Sequence, residues 1–333
     1  EAMGGVINII TKSPRTAPPL TINVFRTAHG ENAIDAGGAK QWDQWSTLAS
    51  ATLFHNDQYY DDNDDNFADL TLATRGSFFV RAARRDASGR PQLELSTRYY
   101  YEDRIGGTAD YVKKYSDALR GSDLIYGESI STHRIEMIGM LNLKPVTGAR
   151  LDVSLNLHDQ DSFYGADSYS ARQSTAFMQL LWPMRLSGRQ TLLLGSALRG
   201  QRYDDNTSAT GLKNEVGTTL KNLPDNRWIP SVFAQHEWLT SESVRLNTGM
   251  RIDYQKDHGW IPSPSASLKV SASDATTLRF NAGTGFRIVN LFTEDHAAYS
   301  GSRTTVLLED LDPERSLNGT VSLQHVFDIN SNP

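Results

Sequence analysis

The sequence predicts an all-β fold, a transmembrane antiparallel β-barrel. Three observations predict it: apolar and polar residues alternate over long segments, no apolar run is long enough for a transmembrane helix, and short connections alternate with long ones. A soluble β-sandwich also shows alternation. The alternating segments here run to about 10 residues or more, the length that a tilted strand needs to cross a bilayer, and this favours the barrel.

Composition and net charge argue against one class of function, the binding of nucleic acid. The 333 residues are 38% hydrophobic with a mean hydropathy of -0.46 and a net charge of -6. Without a basic stripe, that mild negative charge argues against nucleic acid as a partner. Cysteine is absent, which suits passage through an oxidising periplasm but is also common among bacterial proteins.

The alternation is clearest over residues 244–254. Val244, Leu246 and Met250 stand at even positions there, while Arg245 and Arg251 stand at odd ones. The same pattern covers residues 93–101, 151–157 and 317–327. Each segment therefore predicts a strand with one apolar face and one polar face.

Short and long connections between the predicted strands alternate along the chain. Short ones are predicted at 86–90, 145–148, 186–189, 240–243 and 271–274, and longer ones at roughly 57–70, 103–129, 160–169, 204–226, 256–262 and 285–313. Short turns on one side and long loops on the other are typical of an outer-membrane barrel with periplasmic turns. Counted from Thr21, the pattern gives about fourteen strands, against about 22 in plugged outer-membrane transporters.

The first fourteen residues carry a family resemblance. Their sequence, EAMGGVINIITKSP, combines a glycine pair, a β-branched run and a terminating proline. The phrase resembles the last plug strand of TonB-dependent outer-membrane receptors. The resemblance implies that residues 1–14 are the C-terminal end of a plug domain and that residues 15–333 are the N-terminal part of the barrel.

A second resemblance lies near the other end of the chain. Residues 285–292 read GFRIVNLF and residues 311–318 read LDPERSLN. They are similar to the GFRxPNLxE and LxPExSxN phrases of the same family, with Val289 in place of the usual proline. No GxSxG elbow, Walker A loop or HExxH motif occurs in the sequence, so we do not predict an enzyme.

An acidic stretch in the second outer loop, within residues 57–70, is a candidate metal site. Asp61, Asn63, Asp65 and Asp69 occupy relative positions 1, 3, 5 and 9, as oxygen ligands do in an EF-hand loop. Asn66 replaces the turn glycine, and no glutamate follows at position 12. The stretch resembles the calcium-binding loop of vitamin B12 receptors, which implies Ca2+ as a cofactor. The alternative is a solvated acidic loop tip.

Five further residues are candidates for substrate contact. His296 lies after the GFRIVN phrase, roughly where haem receptors of the family place a ligand histidine, and Arg287 lies within that phrase. Arg104, Arg120 and Asp123 belong to the third outer loop, within residues 103–129, and could face a substrate. All five are equally compatible with ordinary surface positions.

The resemblance implies a receptor in the cell outer membrane that imports a scarce nutrient such as cobalamin or an iron chelate. Its partners would be the membrane lipid and TonB, with ExbB and ExbD, acting through an N-terminal box that we expect upstream of Glu1. Transport would be driven by the proton-motive force. The alternatives are a haem receptor of the same family, or a passive porin or adhesin barrel.

Overall fold

A computed structural model describes residues 11–114, 117–143, 148–207, 210–213, 219–288 and 311–327. Fourteen of its sixteen strands form one antiparallel sheet, which confirms the predicted fold class and strand number. The strands are β1 (Thr21–Arg26), β2 (Asn32–Trp42), β3 (Trp45–Asn56), β4 (Leu72–Arg85), β5 (Pro91–Gly107), β6 (Gly127–Asn142), β7 (Arg150–Tyr164), β8 (Asp167–Ser187), β9 (Gln190–Asp205), β10 (Gly211–Lys213), β11 (Thr219–Asn222), β12 (Asp225–Leu239), β13 (Val244–Gln255), β14 (Gly259–Ser271), β15 (Thr276–Arg287) and β16 (Glu314–His325).

Each strand of the large sheet pairs with the next one along the chain. The exception is β9, which pairs with β12 because β10 and β11 form a separate small hairpin between them. Within the described residues, β1 and β16 are each paired along one edge. In this part of the chain, no helix is long and apolar enough to span a membrane.

The register sorts side chains onto two faces. Val232 lies opposite Ile252, while the neighbouring pair joins Ser231 to Asp253. Val232 is 56% exposed, and Leu53, on the same face of the sheet, is 62% exposed. An apolar face that no protein covers is suited to lipid, so we call it lipid-facing and the polar face lumen-facing.

Two outer connections are shorter than predicted. β7 and β8 are joined by residues 165–166 alone, with Gly165 at φ +62°, and β13 and β14 by residues 256–258. The predicted loops over 160–169 and 256–262 were therefore wrong. Strands that continue beyond the bilayer are polar on both faces, so alternation no longer reveals them.

The second and third outer loops, residues 57–71 and 108–126, pack against each other. Tyr111 in α1 (Ala109–Lys114) is 1% exposed and packs with Ala68 and Val112. A backbone bond joins the loops, from Ala109 N to Asn66 O at 3.0 Å. Ile105, which shares the lipid-facing side of β5 with Tyr99, also packs in this cluster. The third loop therefore folds over the outward side of the strand ends.

Candidate functional site

The lumen-facing side of β5, β6 and β7 forms a recess of about 520 Å³. Its lining includes Arg98, Glu102, Arg104, Arg134, His158 and Tyr164. All six stand at even positions, and the unbroken register of these strands brings those positions to one face. We call this feature the arginine recess.

Each carboxylate of the arginine recess is shared by two guanidinium groups. Glu102 lies 2.7 Å from Arg75 Nε and 3.8 Å from Arg104 Nε. Glu136 lies 3.5 Å from Arg98 Nη1 and 3.8 Å from Arg134 Nη1. Four positive charges therefore meet two negative ones, and the surplus is suited to attracting an anion.

Aromatic rings hold two of these arginines in place. The Arg98 guanidinium lies over the Tyr100 ring at 5.4 Å, and Arg75 lies over Phe54 at 4.9 Å. Tyr100 also donates its hydroxyl hydrogen to Glu102. Because cation–π contacts restrict the side chains before any ligand arrives, the cost of ordering them on binding is reduced.

The rim of the recess carries an opposing charge. Glu128 lies further out on β6 and accepts a hydrogen bond of 2.8 Å from the Tyr126 hydroxyl. Burial, followed by that hydrogen bond, raises the pKa of Tyr126 to about 12. The Tyr126 phenol therefore stays neutral at neutral pH. Because Glu128 lies at the rim, the positive surplus is concentrated deeper in the lumen.

The predicted substrate residues are dispersed. Arg104 lines the recess, whereas Arg120 pairs with Asp161 at 2.9 Å on the outward side of the strand ends. Arg287 pairs with Glu314 at 3.0 Å across β15 and β16. Asp123 is exposed in the third loop.

His296 lies outside the described residues. The arginine recess also depends on Arg75, Arg98, Arg134 and Glu136. The sequence motifs did not predict these four as site residues. A signal for two of them was present, because Arg98 and Arg134 stand at even positions of segments whose odd positions are largely apolar.

The acidic residues of the second loop are held by hydrogen bonds within the loop. Asp61 accepts bonds from the Tyr59 hydroxyl at 2.7 Å, Asp65 N at 3.2 Å and Asn66 N at 3.1 Å. The Tyr59 hydrogen bond lowers the pKa of Asp61, and burial together with the same bond raises the pKa of Tyr59 to about 12. Asp61 is thus the organising carboxylate of the loop.

The remaining acidic residues follow the same scheme. Asp65 accepts from Phe67 N at 2.9 Å, and Asp69 accepts from Asp62 N at 2.7 Å. Asn66 adopts φ +67°, the left-handed conformation expected of it. Among the described residues, no group of three or more acidic or histidine side chains is placed to hold a metal ion. In this conformation the oxygens accept hydrogen bonds within the loop, and calcium binding stays a prediction.

Comparison with known proteins identifies a matching family. Residues 24–332 match the model described as "TonB dependent receptor-like, beta-barrel". The iron-regulated outer membrane virulence protein of Vibrio cholerae is 28% identical over 140 residues, 41% of this chain and 20% of that protein. The ferric enterobactin receptor of Pseudomonas aeruginosa is 28% identical over 183 residues, 50% of this chain and 24% of that protein.

The fold has solved counterparts. A crystal structure of a mutant ferric enterobactin receptor from Pseudomonas aeruginosa superposes with a TM-score of 0.63 at 15% identity. The superposition covers 93% of this chain and 51% of that one. At this identity the likeness concerns the fold. The chain therefore matches no more than about half the length of these proteins.

Proposed function

This chain belongs to the TonB-dependent receptor family, and we propose that it forms part of a receptor that imports a negatively charged ferric chelate. The family places it in the outer membrane as a multi-pass β-barrel, in a family of transporters rather than enzymes. The observation that carries the proposal is the arginine recess, where four guanidinium groups share two carboxylates.

Charge favours an iron chelate over cobalamin. A ferric chelate built on carboxylate or catecholate oxygens carries negative charge, so guanidinium groups in a narrow lumen attract and orient it. Both curated relatives have names that refer to iron. The cobalamin and haem alternatives depend on the acidic loop and on His296, and neither gains support from the described residues.

The proposal includes a plug domain and coupling to TonB, with ExbB and ExbD. Arg81 on the lumen-facing side of β4 donates to Thr11 Oγ1 at 2.7 Å while it also pairs with Glu94 at 2.8 Å. The segment that precedes β1 therefore runs along the inner wall. This course supports the assignment of residues 1–14 to the end of a plug inside the barrel, because a plug must be joined to the wall that it closes.

The test is competition binding to the complete receptor with ferric enterobactin, haemin and cyanocobalamin. We expect the ferric chelate to bind most tightly and the double variant R98Q/R134Q to bind it at least tenfold more weakly, since a charge-assisted hydrogen bond contributes about 1.5 to 3 kcal/mol. Arg150→Gln is the matched control, because Arg150 also pairs in the strand, with Asp152 at 2.9 Å, but far from the recess.

Two results would contradict the proposal. One is equal affinity for the ferric chelate in the wild type and in R98Q/R134Q. The other is uptake by whole cells that continues unchanged when a protonophore collapses the proton gradient, because a passive porin behaves in that way.

A further inference from the structure

A second group of cations lies on the lipid-facing side, at the end of the barrel where the turns are short. Lys40 and Trp42 on β2, Trp45 on β3 and Arg84 on β4 occupy this face together. Trp42 pairs directly with Trp45, and Trp45 pairs directly with Arg84. We call these four residues the headgroup patch.

The alternation of side chains along the strands places all four residues of the headgroup patch on the lipid-facing side of the sheet. Trp45 is in register with Arg84, and two residues further on each strand Thr47 is in register with Ala82; continuing along this face leads to Leu53, whose side chain is 62% exposed. Trp42 is 46% exposed, and Lys40 is exposed as well. The patch is therefore the end of the same surface that meets the hydrocarbon.

The cations of the patch differ from those in the lumen in their partners. Arg84 lies over the Trp45 ring at 5.7 Å and donates to Gln44 Oε1 at 3.5 Å. Among the described residues, neither Arg84 nor Lys40 has a carboxylate within ion-pair distance. Asp43, at the adjacent turn, borders a separate depression beside Arg15 and Arg85.

A cation at the edge of a lipid-facing surface needs an anion at that depth. Arginine and lysine reach from the hydrocarbon edge to headgroup phosphates, and tryptophan is enriched at the same level because its ring is apolar and its N–H is polar. Two cations beside two indoles, without a protein carboxylate, match a phosphate attached to acyl chains.

We propose that the headgroup patch binds an anionic phospholipid in the leaflet that surrounds the short turns. Arg84 and Lys40 contact the phosphate, while the two indole rings lie against the glycerol and the first methylene groups of the acyl chains. The patch is distinct from the arginine recess, since it faces the opposite side of the wall.

The test is native mass spectrometry of the complete receptor, titrated with phosphatidylglycerol, phosphatidylcholine or inorganic phosphate. We expect preferential retention of phosphatidylglycerol and about fivefold weaker binding for each charge removed in R84Q and K40Q. Arg84→Lys keeps the charge and should retain most of the binding. Arg245→Gln is the control, because Arg245 faces the lumen near the same end and pairs with Glu237 at 3.3 Å.

Equal retention of phosphatidylglycerol by the wild type and by the double variant R84Q/K40Q would overturn the proposal. Displacement of the lipid by inorganic phosphate at equal concentration would also overturn it, because a bare phosphate site would not need the acyl chains. Heat-dependent mobility on a gel shows that each variant still forms a folded barrel.

Discussion

The acidic loop and the arginine recess are both crowded with charge, yet they are built in opposite ways. The carboxylates of the loop accept hydrogen bonds from groups no more than seven residues away, such as Asp62 N to Asp69. The recess gathers its charges from three strands, β4, β5 and β6, and Arg98 meets Glu136 across 38 residues of sequence. The carboxylates of the loop are hydrogen-bonded to neutral groups of the loop itself, whereas the recess combines charges of both signs and retains a positive surplus.

This difference indicates that the arginine recess, rather than the acidic loop, is preorganised for a ligand. Asp61 already accepts three hydrogen bonds within the loop, which leaves fewer acceptor sites for a cation. The guanidinium groups of the recess keep donor hydrogens beyond those used on Glu102 and Glu136. An anion can therefore bind there without dismantling the wall.

The comparison is tested most strongly by increasing or decreasing the positive surplus of the recess. Glu102→Gln removes the carboxylate shared by Arg75 and Arg104, so we expect tighter binding of a ferric chelate, by about threefold to tenfold. Arg104→Gln should weaken binding by a similar factor. Equilibrium titration of the complete receptor by fluorescence quenching measures both. A shift in the same direction for the two variants would argue against an electrostatic recess.

The next prediction concerns Arg120, which attaches the third outer loop to the strand ends, and the expected effect is smaller. Arg120 bonds Ser129 at 3.1 Å and Asp161 at 2.9 Å and lies over the Phe163 ring at 4.7 Å. Arg120→Ala should loosen the loop by on the order of 1 kcal/mol and speed limited proteolysis within residues 108–126. Lys114→Ala is the control, since its pair with Asp110 is exposed. If both variants are cut at the wild-type rate, the loop is held by its apolar cluster instead.

The acidic loop should respond to Asp61 more than to its neighbour. Asp61→Asn weakens three hydrogen bonds, whereas Asp62 accepts one from the Tyr60 hydroxyl at 3.1 Å. We expect faster proteolysis within residues 57–71 for Asp61→Asn than for Asp62→Asn, with a chelator present. Terbium luminescence without chelator, on the wild type and on Asp65→Ala, tests calcium binding: loss of the signal in Asp65→Ala would support a site, and an unchanged signal would leave a solvated tip.

The smallest effect concerns pH at a short turn. The Ser88 hydroxyl and the Arg90 backbone lower the pKa of Asp86 to about 2, from 3.8. Because the pKa is lower in the folded state, this carboxylate adds stability that is complete above about pH 4 and is lost as the pH falls through about 2. The difference in unfolding midpoint between wild type and Asp86→Asn should shrink over that interval. A constant difference would show that the turn does not depend on this charge.

The sequence predicted the wall well and the site poorly. Alternation over residues 244–254 located β13 and its lipid-facing side, because one strand carries the whole signal. The turn at Asn66 was also predicted, since asparagine tolerates the left-handed conformation. Local rules are sufficient for features of this kind.

The arginine recess depends on register, which a single segment does not contain. Arg98 and Glu136 meet because β5 and β6 pair without a bulge over fifteen residue pairs, and a shift of one residue between the strands would place the two side chains on opposite faces of the sheet. Arg120 was selected from its loop position alone; its contacts with Asp161 and Phe163, some forty residues away, lie on the outward side, and its role towards a substrate stays a prediction.

Single-cysteine labelling tests the central claim most directly, because the chain has no cysteine of its own. Gln160→Cys lies in the arginine recess, and Leu157→Cys lies on the lipid-facing side of the same strand. In the complete receptor, a charged thiol reagent should label Gln160→Cys quickly and Leu157→Cys slowly, and ferric enterobactin should protect only the former. Equal labelling of the two positions, or no protection of Gln160→Cys by saturating chelate, would contradict this account of the wall and its recess.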